Sequence, residues 1–418
     1  MGQIELLVSN NGLIKGIKTQ LEQIDAFERP IRRENNLTVI KTKLDISDAT
    51  IREILSHYGP DVKTREYQNS VDVHLKVDRL SQFVVQYLGE HCPVNEEELQ
   101  HLLEHLPLRF SLYQPLVLFN FSQERSFLHS SWKRQLEKPG CGGFMKAMLA
   151  EMFPNFSHVA TNRPIVEHDT MRRPFHIVPL EGELLSGAVS PETWELPSQA
   201  DFDRALWCHV VQNGIHQVWA PAFTMFSRGN IKEKKRILDP TSYPEVEGND
   251  VVDLYAGIGY FALSYLKRRA RRIFCFELNP WSTEGLRRGV NLNKFSGECN
   301  IFQQSNEDCL LQLERFEFLQ IRHINLGLLP TSRQGYPWAL HLVLKYGATP
   351  TTTLHIHENV HIGDIESGNF AQQVLKTLSD LEGRLSFTLA HVEKVKTFAP
   401  DVWHCVLDLE VSKRPEFH

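Results

Sequence analysis

VVDLYAGIGYF, at residues 251–261, is the stretch that decides the fold of this chain. It is an apolar run that contains one acid, Asp253, and it ends in Gly257 and Gly259 with a single residue between them. A strand that ends in glycines lets the backbone approach a ligand closely, and the following helix presents free N–H groups. Ligands of open α/β sheets bind at this carboxyl edge. The stretch therefore predicts a nucleotide-like ligand in an α/β domain.

The sequence after residue 250 alternates between strand-like and helix-like segments. The strand candidates are VVDLYA, RIFCFEL, NIFQQ, HINLGLL and TLHIHENV, and the helix candidates are FALSYLKR, WSTEGLRRGVNLN, DCLLQLERF, WALHLVLKYG and FAQQVLKTLSDL. This alternation is typical of βαβ units and a mostly parallel sheet. Two more strand candidates, LSFTLAHVEKV and VWHCVLDLEV, close the chain as an antiparallel hairpin. By fold analogy, the hairpin favours a class I methyltransferase-type Rossmann fold over a plain nicotinamide-binding domain.

Three regions are predicted along the chain. Residues 1–172 give mixed signals and are assigned to an N-terminal α+β region, with an amphipathic stretch at 14–27 and the strand-like run PLVLFNF at 115–121. Residues 173–240 form a small strand-rich unit that ends in the helix-like segment FSRGNIKEKKRIL. DPTSYPEVEGND, at 239–250, is the clearest linker, and residues 241–418 make up the predicted catalytic domain.

Composition limits the classes of partner and compartment. The 51 acids outnumber the 45 lysines and arginines, giving a net charge of −6, so any polyanion must be held by local patches. The seven cysteines are an odd number without a C-x-x-C pair, which indicates reduced thiols. The N-terminus lacks a signal-peptide pattern, and no run of about 18 apolar residues occurs. A cytoplasmic protein without a membrane segment is expected.

The ligand at the glycine turn can be either NAD or S-adenosylmethionine on the glycine pattern alone. Gly257, Gly259 and Ala262 satisfy G-x-G-x-x-A, which is a weak signal by itself. Asp253 favours the cationic S-adenosylmethionine, because a carboxylate there would repel the pyrophosphate of a dinucleotide. Glu277, twenty positions after Gly257, is placed to accept hydrogen bonds from both ribose hydroxyls. The alternative for Glu277 is a solvated acid at a strand end.

A softer signal follows the third strand of the predicted sheet. Asn306 and Glu307, in QQSNED, are candidates for contacts to adenine. Helix capping by Ser305 or Asn306 explains the same residues equally well. Both interpretations remain open on the sequence.

Several stretches, taken together and in order, resemble one family, the tRNA wybutosine-synthesising aminocarboxypropyl transferases, which are related to the tRNA guanine N1-methyltransferases. The stretches are HVATNRPI (158–165), MFSRGNIKEKKRIL (225–238), VVDLYAGIGYFAL (251–263), CFELNPWS (275–282), INLGLLPTS (324–332), LHIHENV (354–360) and VEKVKTFAPDVWHCVLDLEV (392–411). The resemblance implies transfer of the 3-amino-3-carboxypropyl group of S-adenosylmethionine to 4-demethylwyosine. The acceptor would lie next to the anticodon of phenylalanine tRNA, and methylthioadenosine would be released.

The resemblance also implies roles for individual residues. Ser227 and Lys234 are carried over as contacts to S-adenosylmethionine, together with Glu277 on the ribose and with Asn306 and Glu307 near the base. The last pair departs from the family, because SNED stands where relatives more often have Gly-Asp-Asn. A helix start followed by a lysine suits a carboxylate. Lys234 could instead be an exposed lysine in the run KEKKR.

The sequence leaves several other functions open. The related methyltransferases carry Asn-x-Pro, whereas here Asn325 is followed by Leu-Gly-Leu-Leu before Pro330, which puts base methylation in doubt. A tRNA guanine N1-methyltransferase is the first alternative. A non-catalytic tRNA-binding protein and a nicotinamide oxidoreductase are further alternatives.

No catalytic residue is assigned, because a sulfonium leaving group departs without protonation and the protein mainly supplies orientation and a dry pocket. His355, His357, Glu358 and His361 invite a metal interpretation, since His355 and His357 share one face of a strand. Polar residues at a strand end are the stronger interpretation, because the ligand set is incomplete and the reaction needs no Lewis acid. No metal is therefore expected.

Contact with tRNA would depend on local basic patches and on a stacking aromatic residue. The candidate patches are Lys267, Arg268, Arg269, Arg271 and Arg272; Arg29, Arg32 and Arg33; and Lys232, Lys234, Lys235 and Arg236. The candidate aromatic residues are Tyr260, Tyr336 and Trp338. The alternative for the first patch is a solvated helix end, and the alternative for the aromatic residues is core packing. The N-terminal region could assist in tRNA binding.

Overall fold

The structure, a computed structural model, describes residues 3–24, 26–34, 37–67, 78–162 and 177–414. The chain divides into two units, Met1–Gln82 and Phe83–His418. Parts of two predictions lie outside the described residues, namely 163–165 of HVATNRPI and the side chains of Arg29 and Arg32.

The first unit contains one antiparallel sheet with two helices. Its elements are β1 (Gln3–Val8), α1 (Ile14–Gln23), β2 (Phe27–Glu34), β3 (Leu37–Asp45), α2 (Ala49–Tyr58) and β4 (Val62–Tyr67). The strand order is β2-β3-β1-β4, and β1 is antiparallel to both of its neighbours. The amphipathic stretch at 14–27 forms α1, which buries Ile17 and Leu21, and then enters β2. The unit therefore has its own core under the sheet.

The chain next forms a mixed four-stranded sheet, several helices and a hairpin. The elements are α3 (Arg79–His91), α4 (Glu96–Glu104), β5 (Phe110–Tyr113), β6 (Leu116–Phe119), α5 (Ser130–Leu136), α6 (Phe144–Met152), β7 (His158–Thr161), β8 (Val178–Glu181), α7 (Pro191–Glu195), α8 (Gln199–Arg204), β9 (Cys208–Gln212) and β10 (Ile215–Trp219). The sheet has the order β5-β6-β7-β8, and β9 pairs only with β10 among the named strands. The strand-like run at 115–121 contains β6, as predicted.

The remaining elements build a seven-stranded sheet. They are α9 (Ile231–Ile237), β11 (Asp250–Asp253), α10 (Ala262–Lys267), β12 (Arg272–Phe276), α11 (Pro280–Asn293), β13 (Glu298–Phe302), α12 (Cys309–Leu313), β14 (Ile321–Leu326), α13 (Tyr336–Tyr346), β15 (Thr352–His361), α14 (Ile362–Glu366), α15 (Asn369–Leu381), β16 (Leu385–Ala399) and β17 (Val402–Lys413). The order is β13-β12-β11-β14-β15-β17-β16. The first five strands of this order are parallel, and β17 lies antiparallel between β15 and β16. The predicted fold class is confirmed.

Strand β11 separates two hydrophobic cores. Val251 packs in the core that α10 covers, whereas Val252 and Leu254 point to the core on the other face, which α13 covers. Because side chains alternate along a strand, Asp253 faces the same side as Val251. The predicted acid is therefore buried on the α10 side, at the carboxyl end of the strand.

The segment at 239–250 is packed into the second unit. Tyr243 and Val246 are fully buried in the core beside α10. Because these two side chains are part of the core, the segment belongs to the folded unit and is not a free linker. The domain boundaries at 172 and 240 remain a prediction.

Two expectations from composition can be compared with the structure. All seven cysteines are free thiols, and six of them are buried. Within the described part of the chain, each helix is too short or too polar to pass through a membrane.

The basic cluster at the end of α10 is engaged mainly with the protein itself. Arg271 and Arg272 both clamp the buried Asp250, with Nη2 atoms 2.5 Å and 2.8 Å from Asp250 Oδ2. Lys267 and Arg268 donate hydrogen bonds to backbone carbonyl oxygens. The contacts to Asp250 join β11 to the start of β12, and the other two tie the end of α10 to the β9–β10 turn and to the end of α9. They favour a structural role for the cluster.

Replacing Arg272 with glutamine is expected to lower the free energy of unfolding by about 1–3 kcal/mol, because Asp250 then loses a bidentate partner. Urea unfolding measures this change. The matched control is Arg269→Gln, since Arg269 pairs with Glu247 at the surface. Equal stability of the two variants would contradict the structural role.

Candidate active site

The two predicted glycines form the turn between β11 and α10. Gly257 has a φ of +56° and Gly259 a φ of +84°, in the left-handed region that favours glycine. A Cβ atom on Gly259 would lie 2.5 Å from Leu286 Cδ1, and one on Gly257 would lie 2.9 Å from the Tyr260 ring. The turn thus brings backbone N–H groups to the carboxyl edge of the sheet, in a conformation and a packing that suit glycine at both positions.

Glu277 follows β12 and is fixed by the glycine turn. Its Oε2 accepts a hydrogen bond of 2.8 Å from the Gly257 N–H, and its Oε1 accepts one of 2.8 Å from the Asn279 N–H. Burial raises the pKa of the Glu277 carboxyl, although these backbone donors oppose the shift. Each oxygen of a carboxylate has a second lone pair. The carboxylate is therefore pre-positioned to accept two hydroxyl groups.

Asp253 lies beneath the turn and is fully buried. Its Oδ1 accepts hydrogen bonds from the Tyr255 N–H at 3.3 Å and from Asn325 Nδ2 at 3.1 Å. Its Oδ2 has no partner within the described ranges. Burial raises the pKa of this carboxyl to about 7. A cation near Oδ2 would favour the ionised form, so the site is suited to a positively charged ligand.

Ser227 lies just before α9 and contacts the last part of the glycine turn. The Ser227 N–H donates a hydrogen bond of 3.3 Å to Tyr260 Oη. Lys396, on β16, donates from Nζ to Ser227 Oγ at 3.3 Å. The hydroxyl thus lies between the turn and a cationic side chain.

Lys234 lies on α9 and is buried, with 2% of its surface exposed. Its Nζ donates to Gln212 Oε1 at 2.9 Å and to Gln217 Oε1 at 2.7 Å. It also lies 5.2 Å from the centre of the Tyr260 ring. Burial, and secondarily the charge of Lys396, lowers the pKa of Lys234 to about 7. The alternative, an exposed helix lysine in the run KEKKR, is wrong, because Lys234 packs inside the protein whereas the neighbouring Lys235 is exposed.

Asn306 and Glu307 differ in their environment. Asn306 Nδ2 donates a hydrogen bond of 3.0 Å to the Leu254 carbonyl, which closes the end of β11. Glu307 is exposed, and its N–H is capped by Ser305 Oγ at 3.3 Å. The capping alternative is thus realised by Ser305, while Asn306 faces the glycine turn.

Seven of the eight predicted residues converge on residues 253–260. They are Ser227, Lys234, Asp253, Gly257, Gly259, Glu277 and Asn306. Glu307 differs from them because its side chain is exposed, although its charge adds to the effect of burial in raising the pKa of Tyr255. The arrangement places a carboxylate, a buried acid and a buried lysine around one glycine turn.

The structure adds a buried ion network that the sequence did not reveal. Arg236 donates from Nε and Nη2 to the carboxylate of Glu233, each at 2.8 Å. It also donates from Nη1 to Asp408 Oδ2 at 2.5 Å. The network joins α9, which carries Lys234, to β17.

Hydrogen-bond directions assign the protons of two histidines in this network. His323 Nε2 faces the Pro244 carbonyl at 2.9 Å and must donate, so the neutral ring accepts at Nδ1. His355 Nε2, 3.0 Å from that Nδ1, is then a donor, and His355 Nδ1 also donates to Asp408 Oδ1 at 2.7 Å. Burial lowers the pKa of His323, which agrees with its neutral form. His355 therefore carries both protons, and its charge with that of Arg236 balances the two carboxylates.

The four side chains of the metal interpretation do not converge. His355 belongs to the ion network, and His357 pairs with His404 at 2.9 Å. Glu358 points to the other face, where it accepts from Tyr336 Oη at 3.1 Å. His361 caps the start of α14. Across the described ranges, no group of three or more His, Cys, Asp or Glu residues is arranged to hold a metal ion.

The segment after β14 is fastened to β15. Thr331 Oγ1 and the Ser332 N–H donate to Glu358 Oε1 at 2.9 Å and 3.2 Å.

The three aromatic candidates for base stacking differ in burial. Tyr336 is 1% exposed and belongs to the core. Tyr260 donates from its hydroxyl to the Met225 carbonyl and faces Lys234. Trp338 is partly buried on α13.

The remaining basic candidates also have defined environments. In the third patch Lys235 is exposed, whereas Lys234 and Arg236 are buried. Lys232 pairs with Glu393 at the surface. Arg33 is exposed on β2. Alternate helix positions therefore contribute to the core and to the surface.

Comparisons with known proteins agree with this architecture. A family model described as the TRM5/TYW2 methyltransferase domain matches residues 209–317. The tRNA wybutosine-synthesizing protein 2 of Saccharomyces cerevisiae is 42% identical, over 98% of this chain and 98% of its own length. The protein of the same name from Schizosaccharomyces pombe is 33% identical, over 96% of this chain and 94% of its own length.

Two solved structures show the same fold. The crystal structure of P. horikoshii TYW2 in complex with MeSAdo has a TM-score of 0.54 and 21% identity, covering 80% of this chain and all of that chain. Trm5b from Pyrococcus abyssi has a TM-score of 0.50 and 17% identity, covering 98% of this chain and 99% of its own. Because the likeness to the two yeast proteins extends over nearly the whole sequence, the chain belongs to the tRNA wybutosine-synthesizing protein 2 family.

Proposed function

We propose that this protein transfers the 3-amino-3-carboxypropyl group of S-adenosylmethionine to 4-demethylwyosine in phenylalanine tRNA, next to the anticodon, and releases methylthioadenosine. The observation that carries the proposal is the 42% identity, over 98% of both chains, to a wybutosine-synthesizing protein. The arrangement around the glycine turn supports a cationic nucleoside donor. A structural relative, P. horikoshii TYW2, was solved with MeSAdo.

The donor is proposed to lie along the carboxyl edge of β11, β12 and β13. Glu277 accepts hydrogen bonds from the ribose, and Asn306 lies on the adenine side. Asp253 provides negative charge for the cationic part of the donor, while Ser227 and Lys234 hold its carboxylate. Gly257 and Gly259 allow the close approach. Glu307, which the family resemblance also places near the base, has an exposed side chain.

The reaction requires orientation more than acid catalysis. The bond from the sulfonium sulfur to the propyl carbon breaks, and a new bond forms between that carbon and the acceptor base, which loses a proton. Methylthioadenosine leaves as a neutral sulfide, so the leaving group needs no protonation. A sulfonium has three carbon substituents, and the carbon held in line with the acceptor decides which group moves. The buried site also excludes competing water.

The tRNA and the compartment are inferred more indirectly. The aTrm5 protein, whose structure in complex with tRNALeu has a TM-score of 0.50 to this chain, supports a tRNA substrate. Because the net charge is −6, phosphate contacts must come from local patches. Residues 1–172 are proposed to assist in this contact, and the protein is proposed to act in the cytoplasm without a metal.

A tRNA guanine N1-methyltransferase is the second candidate. Trm5b shares the fold over 98% of this chain, so the scaffold alone fits both reactions. The segment between Asn325 and Pro330 disfavours methylation, because the Asn-x-Pro turn is lengthened. The product decides between the two reactions.

Methylthioadenosine is the expected nucleoside product when the protein is incubated with S-adenosylmethionine and tRNA that contains 4-demethylwyosine. Liquid chromatography with mass spectrometry should find it in equal amount to the modified base. Control reactions lack tRNA or contain fully modified tRNA. S-adenosylhomocysteine as the main product would instead assign the methyltransferase reaction.

A further inference from the structure

A second lysine lies beside the part of the proposed donor site that holds the carboxylate. Lys396 belongs to β16, and its Nζ donates to Ser227 Oγ at 3.3 Å. Its side chain lies against Gly229, where an added Cβ atom would be 2.3 Å from Lys396 Cδ. Strand β16 therefore brings a cation to the segment before α9, although Lys396 and Ser227 are 169 positions apart in the sequence.

The two lysines flank one hydrogen bond, which the Ser227 N–H donates to Tyr260 Oη. Lys396 contacts the Ser227 hydroxyl, and the Lys234 Nζ lies 5.2 Å from the centre of the Tyr260 ring. The charge of Lys396 adds to the effect of burial in lowering the pKa of Lys234 to about 7. Nearby ammonium groups repel each other, whereas an anion between them would attract both. The pair of lysines thus favours an anionic ligand.

The buried lysine has a donor to offer such an anion. The other described groups that face its ammonium are amide and aromatic side chains, namely Gln212, Gln217, Phe226 and Tyr260. Amide oxygens and aromatic faces attract a cation more weakly than a carboxylate does. An ammonium has three N–H donors, and within the described ranges the two glutamines accept from two of them. A carboxylate would therefore be the first charged partner of Lys234.

This place is open to a ligand from solvent. Ser227, Tyr260 and Lys396 are each partly exposed, whereas only 2% of Lys234 is exposed. An incoming carboxylate can thus reach Ser227 and Lys396 from solvent, with the buried Lys234 on the inner side. S-adenosylmethionine carries such a carboxylate, at the end of the group that is transferred.

We propose that Lys396 binds the carboxylate of S-adenosylmethionine together with Ser227 and Lys234, and so fixes the direction of the aminocarboxypropyl group. The inference rests on the proposed function, which places this carboxylate at Ser227 and Lys234. Glu277 holds the ribose near the other end of the donor, so the part between the two anchors has one direction. A donor held at both ends presents the same carbon to the acceptor in each turnover.

The first test compares two ligands in Lys396→Met by calorimetry without tRNA. The affinity for S-adenosylmethionine should fall at least about 10-fold, the value of one charge-assisted hydrogen bond. The affinity for methylthioadenosine, which lacks the carboxylate, should stay within about twofold, and this binding also shows that the variant is folded. The matched control is Lys394→Met, because Lys394 is exposed on the same strand and its Nζ lies 5.5 Å from the centre of the Trp403 ring. Both affinities of the control should stay within about twofold.

The pH profile of donor binding is a readout that a structural role would not change. Because the charge of Lys396 helps to lower the pKa of Lys234, Lys396→Met should raise that pKa. Lys234 must be protonated to hold a carboxylate, so the affinity of the variant should fall at a higher pH than that of the unmodified protein. Lys394→Met should keep the profile of the unmodified protein.

Three results would overturn the role of Lys396 in donor binding. They are a loss of S-adenosylmethionine affinity below about 10-fold, an equal loss for methylthioadenosine, and an alkaline fall of affinity at an unchanged pH. Loss of tRNA affinity alone would also overturn it and would make Lys396 a phosphate contact. If the unmodified protein transfers methyl, the proposed function fails, but the two-ligand comparison still tests Lys396, because both reactions use the same donor.

Discussion

Replacing Asp408 with asparagine is expected to lower the free energy of unfolding of the second unit by about 3–5 kcal/mol. Asp408 is 3% exposed and accepts hydrogen bonds from both Arg236 and His355. Without its charge, two buried cations remain against the single carboxylate of Glu233. Removing one partner of a buried ion network is costly because the remaining charges cannot be solvated.

Tryptophan fluorescence in urea measures this change selectively. All seven tryptophans lie between Trp132 and Trp403, within the second unit, so the signal does not report on the first. Asp380→Asn, at an exposed position on α15, is the matched control and should leave stability nearly unchanged. A loss below about 1 kcal/mol for Asp408→Asn would contradict the charge balance inferred for the network.

The pH dependence of this effect has a definite sign. Although burial acts in the opposite direction, His355 and Arg236 hold the pKa of Asp408 well below its usual value of 3.8. A carboxyl with a lowered folded-state pKa stabilises the protein fully above its unfolded pKa. Its contribution is lost as the pH falls through the folded value. The difference between Asp408→Asn and the unmodified protein should therefore be constant above about pH 5 and shrink in stronger acid.

Donor affinity is expected to be highest near pH 7 and to fall on both sides. Burial raises the pKa of Asp253 to about 7, so below that value a cationic donor must displace a proton. The pKa of Lys234 is also about 7, so above it a carboxylate must bind together with a proton. Each limb should approach about a tenfold loss of affinity per pH unit.

Two variants identify which group causes the loss of donor affinity on each side of pH 7. Asp253→Asn should remove the acid limb, and Lys234→Met should remove the alkaline limb. Each should weaken affinity at the optimum by roughly 10–100-fold, the value of one charge-assisted hydrogen bond. Calorimetry with S-adenosylmethionine between pH 5.5 and about 8.5 measures these constants, and titration of the donor's own amino group, near pH 8, is common to all variants. Identical pH profiles in both variants and in the unmodified protein would remove Asp253 and Lys234 from the site.

The fold of the catalytic sheet could be predicted because its signals are local. VVDLYA and RIFCFEL are short apolar runs bounded by turns. In the helical segments that alternate with such strands, apolar residues recur at helical spacing. Strand β2 could not be predicted in this way, because FERPIRRE contains proline and five charged residues. Its pairing with β3 makes it a strand, and tertiary context commonly overrides propensity in this way.

In the candidate site too, contacts between residues close in the sequence could be predicted, whereas contacts between distant residues could not. Asp253, Gly257, Gly259 and Glu277 stand at fixed distances along one βαβ unit, so the sequence alone predicts their neighbourhood. The ion network joins residues far apart in the chain, since Arg236 and Asp408 are separated by 172 positions. Alternation in LHIHEN predicts that His355 and His357 share a face, but not which residues of β17 lie opposite. Strand pairing supplies that information.

The measurement that tests the central claim most directly uses S-adenosylmethionine labelled separately in its methyl group and in its carboxypropyl carbons. After incubation with tRNA that carries 4-demethylwyosine, the tRNA is digested and the label in the modified nucleoside is counted. Aminocarboxypropyl transfer predicts carboxypropyl label in the nucleoside and methyl label in the released methylthioadenosine. Methyl label in the tRNA, without carboxypropyl label, would contradict it.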